Sequence, residues 1–101
     1  MGWVNEALKE LQAGNKVQVR PHGGSMRGRI ERGQLVTITL IDPEAIRIDD
    51  VVLVAWKGNY LLHLVKEIDG DKILIGNNLG KINGWVTKVA VKGKVIAVSD
   101  D

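Results

Sequence analysis

A chain of 101 residues is long enough to bury a core as one domain without staples. It has no cysteine, which excludes disulfides and thiolate metal sites, and two histidines are too few for a transition-metal centre, so we expect no metal or cofactor and a reducing, cytoplasmic setting. The net charge of +2 has acidic residues mixed throughout, and three Trp, one Tyr and no Phe offer little stacking surface, so nucleic acid is not an expected partner.

Near the start, Trp3, Val4, Ala7, Leu8 and Leu11 recur at spacings of three and four between polar residues, which predicts a short amphipathic helix within 1–14. Gly14 and Asn15 supply a left-handed stop, and Lys9 lies near the negative end of the helix dipole. The same stretch lacks the basic start and apolar run of an export signal. No segment approaches the roughly 20 apolar residues that cross a bilayer.

Past the helix the pattern changes to short runs of Val, Ile, Leu and Thr, which predict strands at 17–20, 35–41, 51–56, 60–67, 72–75 and a long 87–98. Lys57-Gly58-Asn59 suits a tight hairpin, Asp69-Gly70-Asp71 offers a positive-φ glycine for the next, and Asp42-Pro43 breaks the second strand. The expected fold is mostly β: one domain over 1–101, with a helix in 1–14 and a small antiparallel, coiled, barrel-like β domain over 17–98.

The Gly-rich segment 21–33 departs from this rhythm. Ser25 follows Gly23 and Gly24 directly at a strand exit, where glycines let backbone approach a ligand and turn amides toward an oxyanion. Taken alone, the segment also fits a surface loop with an ordinary serine, and His22 fits an exposed loop histidine. His63 falls in a predicted strand on the face of Leu61 and Val65, with Tyr60, Leu62, Leu64 and Lys66 on the other. It is either a hydrogen-bonded core histidine or a base, since imidazole in water titrates near about 6.5 and accepts a proton at neutral pH.

Five elements, in order, resemble the signal peptidases and LexA-type self-cleaving repressors. Gly24-Ser25-Met26 with Ile30 and Gly33 resembles the nucleophile box; Ile48-Asp49-Asp50-Val51-Val52-Leu53-Val54 the Gly-Asp-Val-Val strand; Leu62-His63-Leu64-Val65 the Val-His-Arg-Val segment of the histidine-using type. Gly76-Asn77-Asn78 resembles the Gly-Asp-Asn segment, and Val91-Lys92-Gly93-Lys94-Val95 the closing Gly-Lys-Val strand. The resemblance spans about 17–98. Gly28 stands where Pro is usual, Gln34 where Asp is, Leu64 where Arg is, and Asn77 where a third acid would lie.

The resemblance implies Ser25 as nucleophile, His63 as base, oxyanion donors at the amides of Gly24 and Ser25, and substrate contacts at Gly23 and Met26. Asn77 either orients the His63 ring or simply makes a turn. Lys57, in a hairpin, and Lys66, facing away from His63, are not assigned as bases, because a lysine base needs strong desolvation. Ala13-Gly14, the kind of small-residue pair that self-cleaving relatives cut, reads as a helix end. The implied activity is peptidase action on a peptide or protein bound at a strand edge. The alternative is a non-catalytic module of the same fold that binds a peptide or, through Arg20, Arg27, Arg29 and Arg32, an anionic partner.

Overall fold

The computed structural model describes residues 2–21 and 26–100, with side chains in the first helix from Val4 onward. Helix α1 (Gly2–Gln12) buries Val4, Ala7 and Leu11 and leaves Asn5, Glu6, Lys9 and Glu10 in solvent. Its end is the predicted one. Gly14 turns left-handed at φ 87°, and the amides of Gly14 and Asn15 donate back to the carbonyls of Leu11 and Glu10 at 3.0 and 2.9 Å.

Among the described residues seven strands follow: β1 (Val17–Val19), β2 (Leu35–Thr39), β3 (Val51–Trp56), β4 (Asn59–Asp69), β5 (Lys72–Gly76), β6 (Ile82–Thr87) and β7 (Val91–Ser99). They form one antiparallel sheet in the order β1-β2-β7-β3-β4-β5-β6, so the last strand lies inside the sheet and joins the β1–β2 pair to the β3–β6 meander. Lys57 and Gly58 connect β3 to β4 with φ of 47° and 81°, the positive values that a two-residue hairpin matched to strand twist requires. A 3-10 turn at Pro43–Ala45 is capped by the Asp42 carboxylate, which accepts from the Glu44 amide at 2.9 Å.

Two segments differ from the sequence expectation. Residues Ile82–Thr87 pair with β5 although Asn83-Gly84 interrupts any alternation. The expected strand over 87–98 does not run through: Lys88–Ala90 winds into a 3-10 turn before β7, with the Lys88 amide bonded to the Asp71 carbonyl at 2.8 Å.

Strand alternation divides the core into two clusters. Leu53, Leu62 and Leu64 join Val36, Ile38, Ala7 and Leu11 beneath α1, while Val52, Val54, Val65, Ile73, Ile75 and Ile46 pack on the other face. That second face is curled on itself. A Cβ on Gly84 of β6 would stand 2.9 Å from Cη2 of Trp56 on β3, although two strands separate β3 from β6 in the sheet order.

Gly93 of β7 lies where α1 bears on the sheet. A Cβ there would stand 2.7 Å from Ile38 Cγ2, 2.9 Å from the Thr39 carbonyl oxygen and 3.2 Å from Leu11 Cδ1. The carbonyl belongs to a paired strand and cannot step aside as a side chain tip can. Gly93→Ala should therefore destabilise by about 1–3 kcal/mol, read as a lower urea midpoint at unchanged slope; an unchanged midpoint would mean that this contact is not tight.

Candidate functional site

The site is organised by a change of partner along β4. Its first half pairs with β3 and its second with β5, and Leu64 is opposite both Val51 and Gly76. The segment that enters β3 and the one that leaves β5 therefore flank residues 63–65 from either side. On the β3 side, the amide of Asp49 donates to the Val65 carbonyl at 2.8 Å, and the Val65 amide donates to the Asp50 carbonyl at 2.9 Å.

Asp50 holds that side together. Its carboxylate accepts from the Arg47 amide at 2.8 Å and pairs with Lys94 of β7 at 3.1 Å, with its own side chain only 11% exposed. Two of the elements that carry the resemblance, at 48–54 and 91–95, thus meet directly.

His22, Gly23, Gly24 and Ser25 lie outside the described residues, and with them the nucleophile and oxyanion assignments. The segment immediately after them is well anchored. Met26 and Ile30 are buried in the first cluster, and the Arg29 and Ile30 amides turn back onto the Met26 carbonyl at 2.9 and 2.8 Å. Met26, expected at the substrate, thus anchors the loop in the core.

This anchored turn is bonded to both flanks of 63–65. The Asn78 amide group donates to the Arg27 carbonyl at 2.7 Å, and Arg29 Nε donates to Asn78 Oδ1 at 3.2 Å. Arg29 also reaches Asp49, donating from Nη1 to its carbonyl at 3.2 Å and placing Nη2 3.5 Å from its carboxylate. Gly28 makes room for this: its φ is 98°, and a Cβ would stand 2.7 Å from Asn78 Nδ2.

His63 lies within β4 opposite Val52, 7% exposed, the one buried polar residue among the described residues. Its Nδ1 is 2.5 Å from the Leu62 carbonyl. A carbonyl only accepts, so Nδ1 carries a proton in this contact. Alternation turns the ring to the face of Leu61 and Val65, opposite the face on which Met26 and Ile30 pack.

Asn77 takes the turn role that the sequence left open. Its Oδ1 accepts from the amides of Leu79 and Lys81 at 2.8 and 2.9 Å, so the oxygen is occupied within its own loop. Lys57 sits at the exposed hairpin tip with Nζ 5.2 Å from the Trp56 ring centroid, and Lys66 lies at the bulge between Val65 and Glu67. Ala13-Gly14 belongs to the helix stop. Arg20 Nη1 donates to the Gly33 carbonyl, which ties the start of the Gly-rich segment to its end.

No family model and no curated protein matches the chain.

One further feature adjoins the loop. A groove of about 500 Å³ runs between α1 and β1, lined by Glu6, Ala7 and Glu10 on one side and Val17, Val19 and Arg20 on the other. β1 ends the sheet order, and in the sequence it precedes the Gly-rich segment that carries Ser25. Among the described residues no helix is long and apolar enough to cross a membrane.

The sequence reading missed Asn78, Arg29 and the Asp50–Lys94 pair. Asn77 is testable at once: Asn77→Ala should cost about 1–2 kcal/mol by freeing two loop amides, while Asn77→Asp keeps an acceptor for both and should stay within about 0.5 kcal/mol of wild type in urea unfolding. Equal losses in both variants would show that the turn does not depend on the side-chain oxygen.

Proposed function

We propose that the chain is a soluble, cytoplasmic serine peptidase domain of the signal peptidase and LexA type, its coiled sheet corresponding to that barrel-like catalytic fold. In this reading an extended peptide or protein segment lies in the α1–β1 groove along the edge of β1. Ser25 Oγ attacks the scissile carbonyl, His63 Nε2 takes the hydroxyl proton and returns it to the leaving amine, and the amides of Gly24 and Ser25 hold the oxyanion. Water then hydrolyses the acyl ester by the same route.

One observation carries this reading. The turn that directly follows Ser25 is bonded to Asp49 and Asn78, the two segments that flank the strand turn of His63. Elements far apart in sequence, chosen for their resemblance, thereby gather at one corner of the sheet.

A second reading is a binding module that keeps the groove and has lost catalysis. It is favoured by the oxygen of Asn77, which is taken up by its own loop rather than by the imidazole, and by the face to which the His63 ring turns.

Labelling by a fluorophosphonate and turnover of a fluorogenic peptide library separate the two. A peptidase should be labelled at Ser25, and Ser25→Ala and His63→Ala should each abolish most turnover, the double variant being little worse than either single one because the groups share one step. The rate should fall on acidification, because a protonated imidazole has no acceptor left for the hydroxyl proton. A rate that rises only near pH 9 or above assigns the base to a lysine. Absence of both labelling and turnover, with peptide binding retained, sinks the enzyme and leaves the module.

A further inference from the structure

We propose that the free edge of β6 is a docking strand for an extended segment of another protein, apolar at alternate positions and acidic at both ends. β6 stands at the opposite end of the sheet order from β1, so this surface is separate from the α1–β1 groove.

Along the last strand of a sheet, every second residue turns its amide and carbonyl away from the neighbouring strand. In 82–87 the inward groups pair with β5, and among the described residues no other backbone bond reaches this stretch. Edges of this kind are usually guarded by a charge, a proline or a bulge. β6 contains neither charge nor proline, and its one irregularity, at Asn83, precedes the regular run 84–87.

The side chains here suit a covered edge better than a wet one. Trp85 is 46% exposed and stands opposite Leu74, so an apolar row crosses β5 and stops at the edge. Ile82 is half exposed, and Val89, just past the strand, is largely so. An aromatic ring gains from an apolar neighbour on each adjacent strand, and on its outer side Trp85 has no strand to supply one. Asn83 adds a polar need: the bulge leaves it without a partner residue on β5, and its Oδ1 is buried with no donor among the described residues.

Charge selects the occupant. Lys81 and Lys88 bracket β6, and Lys72 of β5 stands opposite Thr87, next to Lys88. The ion pairs among the described residues are Arg29–Asp49 and Lys94–Asp50, so none of these three lysines is neutralised by contact. Asp69 and Asp71 belong to the β4–β5 hairpin, set back from the edge. A second copy of β6 would bring further lysines to the same place, whereas an acidic segment meets them with opposite charge. Acid at both ends of a segment spanning 81–88 fits either strand direction.

The test uses the full chain and three capped octapeptides that alternate Val with Thr between their terminal residues. One ends in Glu on both sides, one ends in Lys on both sides, and the third is the Glu peptide with alternate backbone amides N-methylated. Amide hydrogen exchange locates the binding. At about ten times its dissociation constant, the Glu peptide should slow exchange in 82–87 about tenfold. The N-methylated peptide should not, because it cannot complete the ladder. The Lys peptide should bind at least about threefold more weakly at low salt, and added salt should close the gap. In the double variant Lys81→Glu/Lys88→Glu the order of the two peptides should invert while the urea midpoint moves little, and Trp85→Ala should weaken the Glu peptide about threefold to tenfold. Four results overturn the proposal: no protection by any peptide, equal binding of the Glu and Lys peptides at low salt, protection at 17–19 in place of 82–87, or protection of 82–87 without peptide in a protein whose sedimentation coefficient rises with concentration. The last would assign the edge to a second copy of the chain.

Discussion

The insertion of β7 between β2 and β3 is the constraint on which the rest of the architecture depends. Without it the β1–β2 pair and the β3–β6 meander would be two small sheets, each with an open edge and half a core. β7 gives β2 and β3 their second partner, brings Gly93 beneath Leu11 so that α1 can seat, and delivers Lys94 to Asp50. All three contacts join residues far apart in sequence. Assembly of this domain is therefore governed by non-local pairing, the slow kind, because chain closure precedes the contacts that reward it.

The candidate site follows from a second geometric fact, the length of β4. A strand of 11 residues outlasts either neighbour, so β3 ends and β5 takes over at Leu64. Where partners change, the entering and leaving loops come close together and carry backbone groups that need satisfying. Asp49, Asp50, Asn77 and Asn78 meet that need, and the turn after Ser25 is tied into the same network. Side chains that read as decoration in the sequence are there to complete hydrogen bonding at the junction.

Much of the fold was legible because local chemistry and global structure agree. Residues 51–55 are β-branched or aliphatic and Trp56 is aromatic, with a positive-φ turn after them, and the predicted strand and β3 coincide. β6 was not legible, since Asn83-Gly84 breaks the pattern and Trp85 is 46% exposed, so its pairing is fixed by β5 and by Trp56 rather than by its own propensity. At the site, His63 within a strand and the turn-forming character of Asn77 could be read from neighbours in sequence. The bond from Arg29 to Asn78 crosses 49 positions, and no local pattern signals a contact of that kind.

The curl of the meander also gives the molecule an internal optical gauge. Trp56 is pressed against Gly84 from across the sheet, with the Lys57 ammonium over its ring, whereas the indole of Trp85 already faces water. Lifting β6 away would move Trp56 alone of these two from a packed to a hydrated surrounding. Its emission colour therefore tracks the closing of the sheet, separately from the helix side of the core.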